Sequence, residues 1–206
     1  MTAIGVCGGT FDPFHRGHRE PILAIRSEFE WERVIYIPAW RQPFKLDRGA
    51  ASPFDRFAMT VLATERDEWC EVSPVELERE AISYTVDTLE ELDTNFPRSG
   101  IDWIIGDDNL IDLMKWKNID RIFELANFVV LSRGEALVPA PLRSRMRSAA
   151  DRGRAGSIVL AHNPTVPISA TEIRARIERG ESIDSLVDPR VAHYIQKQRL
   201  YRPEAL

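Results

Sequence analysis

Gly8-Gly9-Thr10-Phe11-Asp12-Pro13-Phe14-His15-Arg16-Gly17-His18 joins two segments of opposite character. Before it, Ala3 to Gly8 reads as a short buried strand. After it, Gly17 to about Phe29 carries the apolar spacing of a helix. A turn between a strand and a helix is where an open α/β sheet binds ligands, outside the carboxyl ends of its strands. Gly8 and Gly9 let the backbone approach an anion closely, and the helix start offers unpaired N–H groups with a favourable dipole. His15 and His18 are three apart, so on a first helical turn their imidazoles can point the same way and donate to phosphate oxygens. A metal pair is the competing reading of His-x-x-His, but no cysteine or carboxylate set stands nearby at helical spacing. The stretch is neither a P-loop nor a Gly-x-Gly-x-x-Gly turn.

The same alternation continues outward from this turn. Strands are expected at Arg33–Ile37, from Cys70 to about Val75, at Ile101–Ile105, at Asn127–Leu131 and at Ser157–Ala161. Helices are expected from Phe54 to Arg66, from Val86 to Phe96, from Ala170 to Arg179 and from Pro189 to Gln198. Strands alternating with helices imply crossover connections and a mostly parallel sheet. The expected class is therefore α/β, a Rossmann-like doubly wound sheet with a short C-terminal helical appendage. Residues 1–206 read as a single domain, with a core over 1–165 and the helical segment over 166–206. Between Gly134 and Gly156 no periodicity settles the conformation, and the arginines from Arg143 to Arg154 read as a solvated helix face.

Composition excludes several classes. The 206 residues include 27 Lys+Arg and 32 Asp+Glu, a net charge of −5, with 44% hydrophobic and 29% charged residues. That is a globular composition with enough chain for a full core, and its mild acidity argues against nonspecific nucleic-acid binding. No apolar run approaches a membrane span, and Met1 to Val6 lacks the basic start of a signal peptide. Two cysteines, Cys7 and Cys70, are too few for a disulfide scaffold, so a cytoplasmic setting is expected. In the first strand Cys7 reads as a small hydrophobe rather than a redox sensor.

Later motifs carry their own chemistry. Ser169 with Glu172 forms a capping box, which creates a second helix N-terminus where Thr171 and Arg174 share a face. An arginine there can fork onto phosphate oxygens. Asp108, after Gly106 at a strand's carboxyl end, is placed to accept ribose hydroxyls. Trp116 between Lys115 and Lys117 reads either as a snorkelling surface residue or as a core-edge residue.

Taken together, these stretches resemble one family. GGTFDPxHxGH at residues 8–18 is similar to the nucleotidyltransferase superfamily signature. Ser83-Tyr84-Thr85-Val86-Asp87-Thr88, Gly106-Asp107-Asp108, Lys115-Trp116 and Ile168 to Arg174 are similar, in the same order, to motifs of the bacterial nicotinate-nucleotide adenylyltransferases. The resemblance implies adenylyl transfer from ATP to nicotinate mononucleotide, giving deamido-NAD and pyrophosphate in NAD biosynthesis. It implies ATP contacts at Gly8, Gly9, Thr10, Phe11, His15, His18, Ile168, Ser169 and Arg174, with His15, His18 and Arg174 catalytic. It places Lys45, Tyr84, Thr85, Asp108, Trp116 and Arg133 on the mononucleotide, with Trp116 stacked on the pyridinium. Magnesium is expected on the ATP phosphates, with no protein metal site.

The departures from the family pattern fall on the acceptor side. Phe44 precedes Lys45 where the family often has His, Ala39 follows Pro38 where Asn is frequent, and Gly134 follows Arg133 where Pro is frequent. Alternatives are therefore an acceptor such as nicotinamide mononucleotide, or a nucleotide-binding protein without turnover. No membrane or nucleic-acid partner is expected, and the sequence leaves homo-oligomerisation open. A phosphate nucleophile is already ionised near neutral pH, so catalysis reduces to positioning and charge stabilisation. His18→Ala is accordingly expected to lower kcat far more than ATP affinity. An unchanged kcat in steady-state kinetics would remove His18 from catalysis.

Overall fold

The computed structural model describes residues 2–43, 51–132 and 137–202. Six strands, β1 (Ala3–Gly9), β2 (Trp31–Pro38), β3 (Cys70–Val72), β4 (Gly100–Gly106), β5 (Ala126–Leu131) and β6 (Ile158–Ala161), form one sheet. Their order is β3-β2-β1-β4-β5-β6, and all five pairings are parallel. This is the Rossmann-like arrangement expected from the sequence, parallel throughout. Among the described residues seven α-helices accompany the sheet: α1 (Arg16–Ile25), α2 (Pro53–Thr64), α3 (Val75–Arg79), α4 (Thr85–Asn95), α5 (Ile119–Leu125), α6 (Ala170–Glu178) and α7 (Pro189–Gln198).

The inner strands β1, β2, β4 and β5 are buried on both faces, so alternate residues feed two cores. Ile4, Val6, Ile35, Ile37, Trp103, Phe128 and Val130 pack on the side of α3, α4 and α5. Val34, Tyr36, Ile104, Val129 and Val159 pack on the other side, with Ile22 and Ile25 of α1, Met59 of α2, Ile173 of α6 and Val191 of α7. Burial pushes the Cys7 thiol up to about 12, as suits a small apolar filler.

The sheet opens at its centre. β1 pairs with β2 as far as Gly9 and Pro38, but with β4 only as far as Val6 and Trp103. β4 meanwhile follows β5 to Gly106 and Leu131. The carboxyl ends of β1 and β4 therefore part, and a crevice forms where the strand order reverses. Beyond the strand end the Ala39 N–H still donates to the Gly9 carbonyl at 2.8 Å, so β1 leans on β2 alone. Ala39 itself is buried.

Local boundaries differ from the sequence reading for identifiable reasons. α1 stops at Ile25, and turns carry the chain to Glu30, whose φ is 51°. The strand read from Cys70 to Val75 ends at Val72, because Pro74 caps the short helix α3. The 137–156 stretch contains one 3₁₀ turn, Ala140–Arg145, rather than a solvated helix. Two of its arginines turn inward. Arg145 lies 3.9 Å from the Phe123 ring centroid. Arg152, 14% exposed at its side chain, pairs with Asp102 at 3.0 Å.

Asp102 is 1% exposed and is fully engaged. The Trp31 indole N–H donates to it at 2.7 Å and the Asn127 amide at 3.0 Å. Arg152 also donates to the Phe29 carbonyl at 2.7 Å, tying the segment before β6 to the turn before β2. This network lies at the amino edge of the sheet, opposite the crevice. Removing one partner of a buried charged pair leaves the other uncompensated. Asp102→Ala is expected to lower folding stability by about 3–5 kcal/mol, read from the denaturant midpoint.

Candidate active site

The turn after β1 is built by close approach. An added Cβ on Gly8 would lie 2.9 Å from the Trp103 ring, and one on Gly9 would lie 2.7 Å from the Phe11 ring. Neither position has room for a side chain. Phe11 then takes a left-handed backbone at φ 52°, a strained choice for a bulky residue costing about 1–2 kcal/mol. Its buried ring offsets that cost against Phe14 at 5.2 Å, Tyr36 at 6.1 Å and the edge of His18 at 5.0 Å.

His15 caps α1, and its carbonyl accepts the His18 N–H at 2.9 Å. The His15 N–H in turn donates to His18 Nδ1 at 3.2 Å. A neutral His18 therefore carries its proton on Nε2, which is the nitrogen able to donate to an incoming oxygen. The two imidazoles stack at 3.7 Å with 24° between planes, so the paired orientation expected from their spacing is the one adopted. His15 is 5% exposed.

α6 brings a second helix N-terminus to the same place. Ser169 caps it, accepting the Glu172 N–H at 3.2 Å. An added Cβ on Gly17 would lie 3.4 Å from the Ile168 carbonyl, so this cap rests directly on the first turn of α1. Arg174 reaches back to the turn after β1 and donates to the Asp12 carbonyl at 2.6 Å, while its second nitrogen lies 3.4 Å from Thr171 Oγ1. Gly8, Gly9, Thr10, Phe11, His15, His18, Ile168, Ser169 and Arg174 thus gather around two adjoining helix starts.

A second group lies on the other core. Tyr84 caps α4, whose first N–H groups, at Thr85 and Val86, are those a helix does not use internally. Trp116 is half-buried against that core, edge-on to Phe128 at 5.9 Å. Lys117 joins the two: its ammonium lies 4.4 Å from the Tyr84 ring centroid and 3.1 Å from both Asp87 oxygens. Asp108 follows β4 in a 3₁₀ turn and is exposed, accepting the Asn109 amide at 3.1 Å. Lys45 and Arg133 lie outside the described residues. Among the described residues no three His, Cys, Asp or Glu side chains cluster as a metal site.

Sequence reasoning missed the residues that hold these groups. Arg56 of α2 is 3% exposed and donates to the Thr10 carbonyl at 2.6 Å and the Trp40 carbonyl at 3.2 Å. One guanidinium thereby holds the loops after β1 and β2 together. Burial lowers its pKa from the ordinary arginine value. Glu76, also buried, accepts the Thr88 hydroxyl at 2.7 Å and is hydrogen-bonded to Ser83, whose Oγ accepts the Trp40 N–H at 3.1 Å. Burial raises the Glu76 carboxyl, against the pull of those hydroxyls. Arg56 and Glu76 carry no local signal, since a charged residue in an amphipathic helix reads as surface.

Known proteins match this chain in sequence and in fold. The cytidylyltransferase-like family model covers residues 6–176. A Thermoanaerobacter protein named "Probable nicotinate-nucleotide adenylyltransferase" is 34% identical, covering 98% of this chain and 95% of its own. A protein of the same name from Dictyoglomus turgidum is 37% identical, covering 98% and 96%. Among solved structures, Plasmodium falciparum nicotinic acid mononucleotide adenylyltransferase complexed with NaAD superimposes with a TM-score of 0.75. It is 18% identical and covers 98% of both chains, which makes it a likeness of fold.

Arg56→Lys cannot span two carbonyls with one rigid fork. It is expected to cost about 1–3 kcal/mol of stability, by loss of a charged hydrogen bond in a buried setting. Thermal unfolding at constant pH measures this.

Proposed function

Because this chain belongs to the nicotinate-nucleotide adenylyltransferases, within the cytidylyltransferase-like family, we propose that its two residue groups divide the two substrates between them. The activity is adenylyl transfer from ATP to nicotinate mononucleotide, a step of NAD biosynthesis. The assignment of residues to substrates is carried by one observation, the meeting of the α1 and α6 starts beside the stacked histidines. Two dipoles, an Nε2 donor and a guanidinium at one point suit a triphosphate.

In this reading Gly8, Gly9, Thr10 and Phe11 let the nucleotide lie along the open edge of β1. His15, His18 and Arg174 stabilise charge that moves onto the departing pyrophosphate as the mononucleotide phosphate attacks the α-phosphorus. Ser169 and Ile168 line the same wall. Across the crevice, the pyridinium stacks on Trp116 and its carboxylate meets the α4 start at Tyr84 and Thr85. Asp108 accepts ribose hydroxyls, and Lys45 and Arg133 meet the mononucleotide phosphate. Magnesium bound to the ATP phosphates would neutralise part of their charge, with the phosphates themselves as its main ligands. The same reading takes residues 1–206 as one nucleotidyltransferase domain working in the cytoplasm, with homo-oligomerisation open.

A carboxylate at a helix N-terminus is favoured over a neutral amide, which gives the acceptor preference. With magnesium and ATP, pyrophosphate release is expected to be at least about tenfold faster per KM with nicotinate than with nicotinamide mononucleotide, a difference of about 1.4 kcal/mol. Equal rates on both would reject the acid preference. Release with neither would leave a nucleotide-binding protein without turnover.

A further inference from the structure

Tyr201 stands beyond α7, far in sequence from the site, yet its hydroxyl donates to Asp12 Oδ1 at 2.7 Å. Both residues are buried, at 7% and 4% exposure. The chain reaches this contact through left-handed backbone at Arg199 and Tyr201, with φ 55° and 61°. Such backbone persists at non-glycine residues only when the surroundings hold it. Burial and the adjacent carboxylate raise the Tyr201 hydroxyl well above its ordinary pKa, so it stays a donor.

Asp12 faces Arg174 with two different groups. Its carbonyl accepts the guanidinium at 2.6 Å, while its carboxylate oxygen Oδ2 stands off at 3.8 Å. The contact is an ion pair longer than a hydrogen bond, between a buried carboxylate and a guanidinium 27% exposed at its side chain, groups that direct contact draws into a bidentate pair. Arg56 adds positive charge near Asp12 but donates to carbonyls, at Thr10 and Trp40. Tyr201 binds the Asp12 carboxylate at hydrogen-bond distance from outside the turn.

We propose that Tyr201 is a positioning residue for adenylyl transfer. Its hydroxyl holds the Asp12 carboxylate off the Arg174 guanidinium, leaving the rest of that guanidinium for the triphosphate. This rests on the reading that Arg174 meets the ATP phosphates. The C-terminal tail is then part of the catalytic geometry, acting through Asp12 and Arg174 without touching substrate.

Tyr201→Phe removes one oxygen and keeps the ring. It is expected to lower kcat about tenfold, with KM for nicotinate mononucleotide unchanged. Paired with Arg174→Ala it should add less than about twofold to the loss from Arg174→Ala alone, because both act through one guanidinium. Adding Asp12→Asn to Tyr201→Phe should restore most of the lost kcat, since a neutral amide has no charge to draw Arg174 away. A purely structural tyrosine would give multiplicative losses and no rescue. Full kcat in Tyr201→Phe, multiplicative losses, or failed rescue each overturn the proposal and leave the role of Arg174 standing. Full kcat in Arg174→Ala overturns that role and the proposal with it. If Tyr201→Phe loses its cooperative thermal transition, Asp12→Glu takes its place, bringing the carboxylate onto Arg174. It should then lower kcat non-additively with Arg174→Ala, and an unchanged kcat overturns the proposal.

Discussion

The parting of β1 from β4 beyond Val6 and Trp103 is the constraint from which the site follows. A strand that keeps one neighbour and gives up the other presents a backbone edge to the crevice, and peptide groups there need partners. The chain meets that need with residues drawn from far away. Arg56, Arg174 and Tyr201 reach the turn from α2, α6 and the tail beyond α7, and between them they take the Thr10 carbonyl, the Asp12 carbonyl and the Asp12 carboxylate. Trp103 fills the space against Gly8 that a side chain would otherwise occupy. The turn is thus held from several sides before any substrate arrives, the preorganisation that charge stabilisation requires.

The net charge of −5 is no obstacle to two phosphate-bearing substrates. In the proposed reading the local field matters, and two helix starts meet beside His15, His18 and Arg174. Many of the carboxylates that make the chain acidic are spent in exposed ion pairs on the outer helices. Glu90 and Glu124, both with Arg121, are examples, and such pairs contribute little to stability or to the cleft. The ion pair of buried Asp102 with Arg152 sits at the opposite edge of the sheet.

Much of the fold was legible because parallel strands buried on both faces read as short continuous apolar runs. Ile101–Ile105 and Asn127–Leu131 are such runs, each within a residue of the observed strand bounds. The capping box at Ser169 and Glu172 was legible for a local reason, since both partners lie within one turn. The 137–156 stretch was not. Its arginines read as a solvated face, and Arg143, Arg147 and Arg154 are exposed, but Arg152 is drawn inward by a contact with a residue fifty positions earlier. No local pattern encodes such a partner.

By itself the sequence determined the alternation of strands and helices, the glycines of the turn, the spacing of His15 and His18 and the second helix start carrying Arg174. These are local matters of backbone permission, periodicity and capping, which neighbouring residues settle among themselves. Only the tertiary structure decided that the two helix starts touch, and that the imidazoles stack with His18 turned to leave Nε2 as donor. It also decided that a tyrosine 189 residues away holds Asp12. The physical reason is that a buried polar group takes its partner from whatever the packing brings near. Packing joins elements that the chain keeps apart.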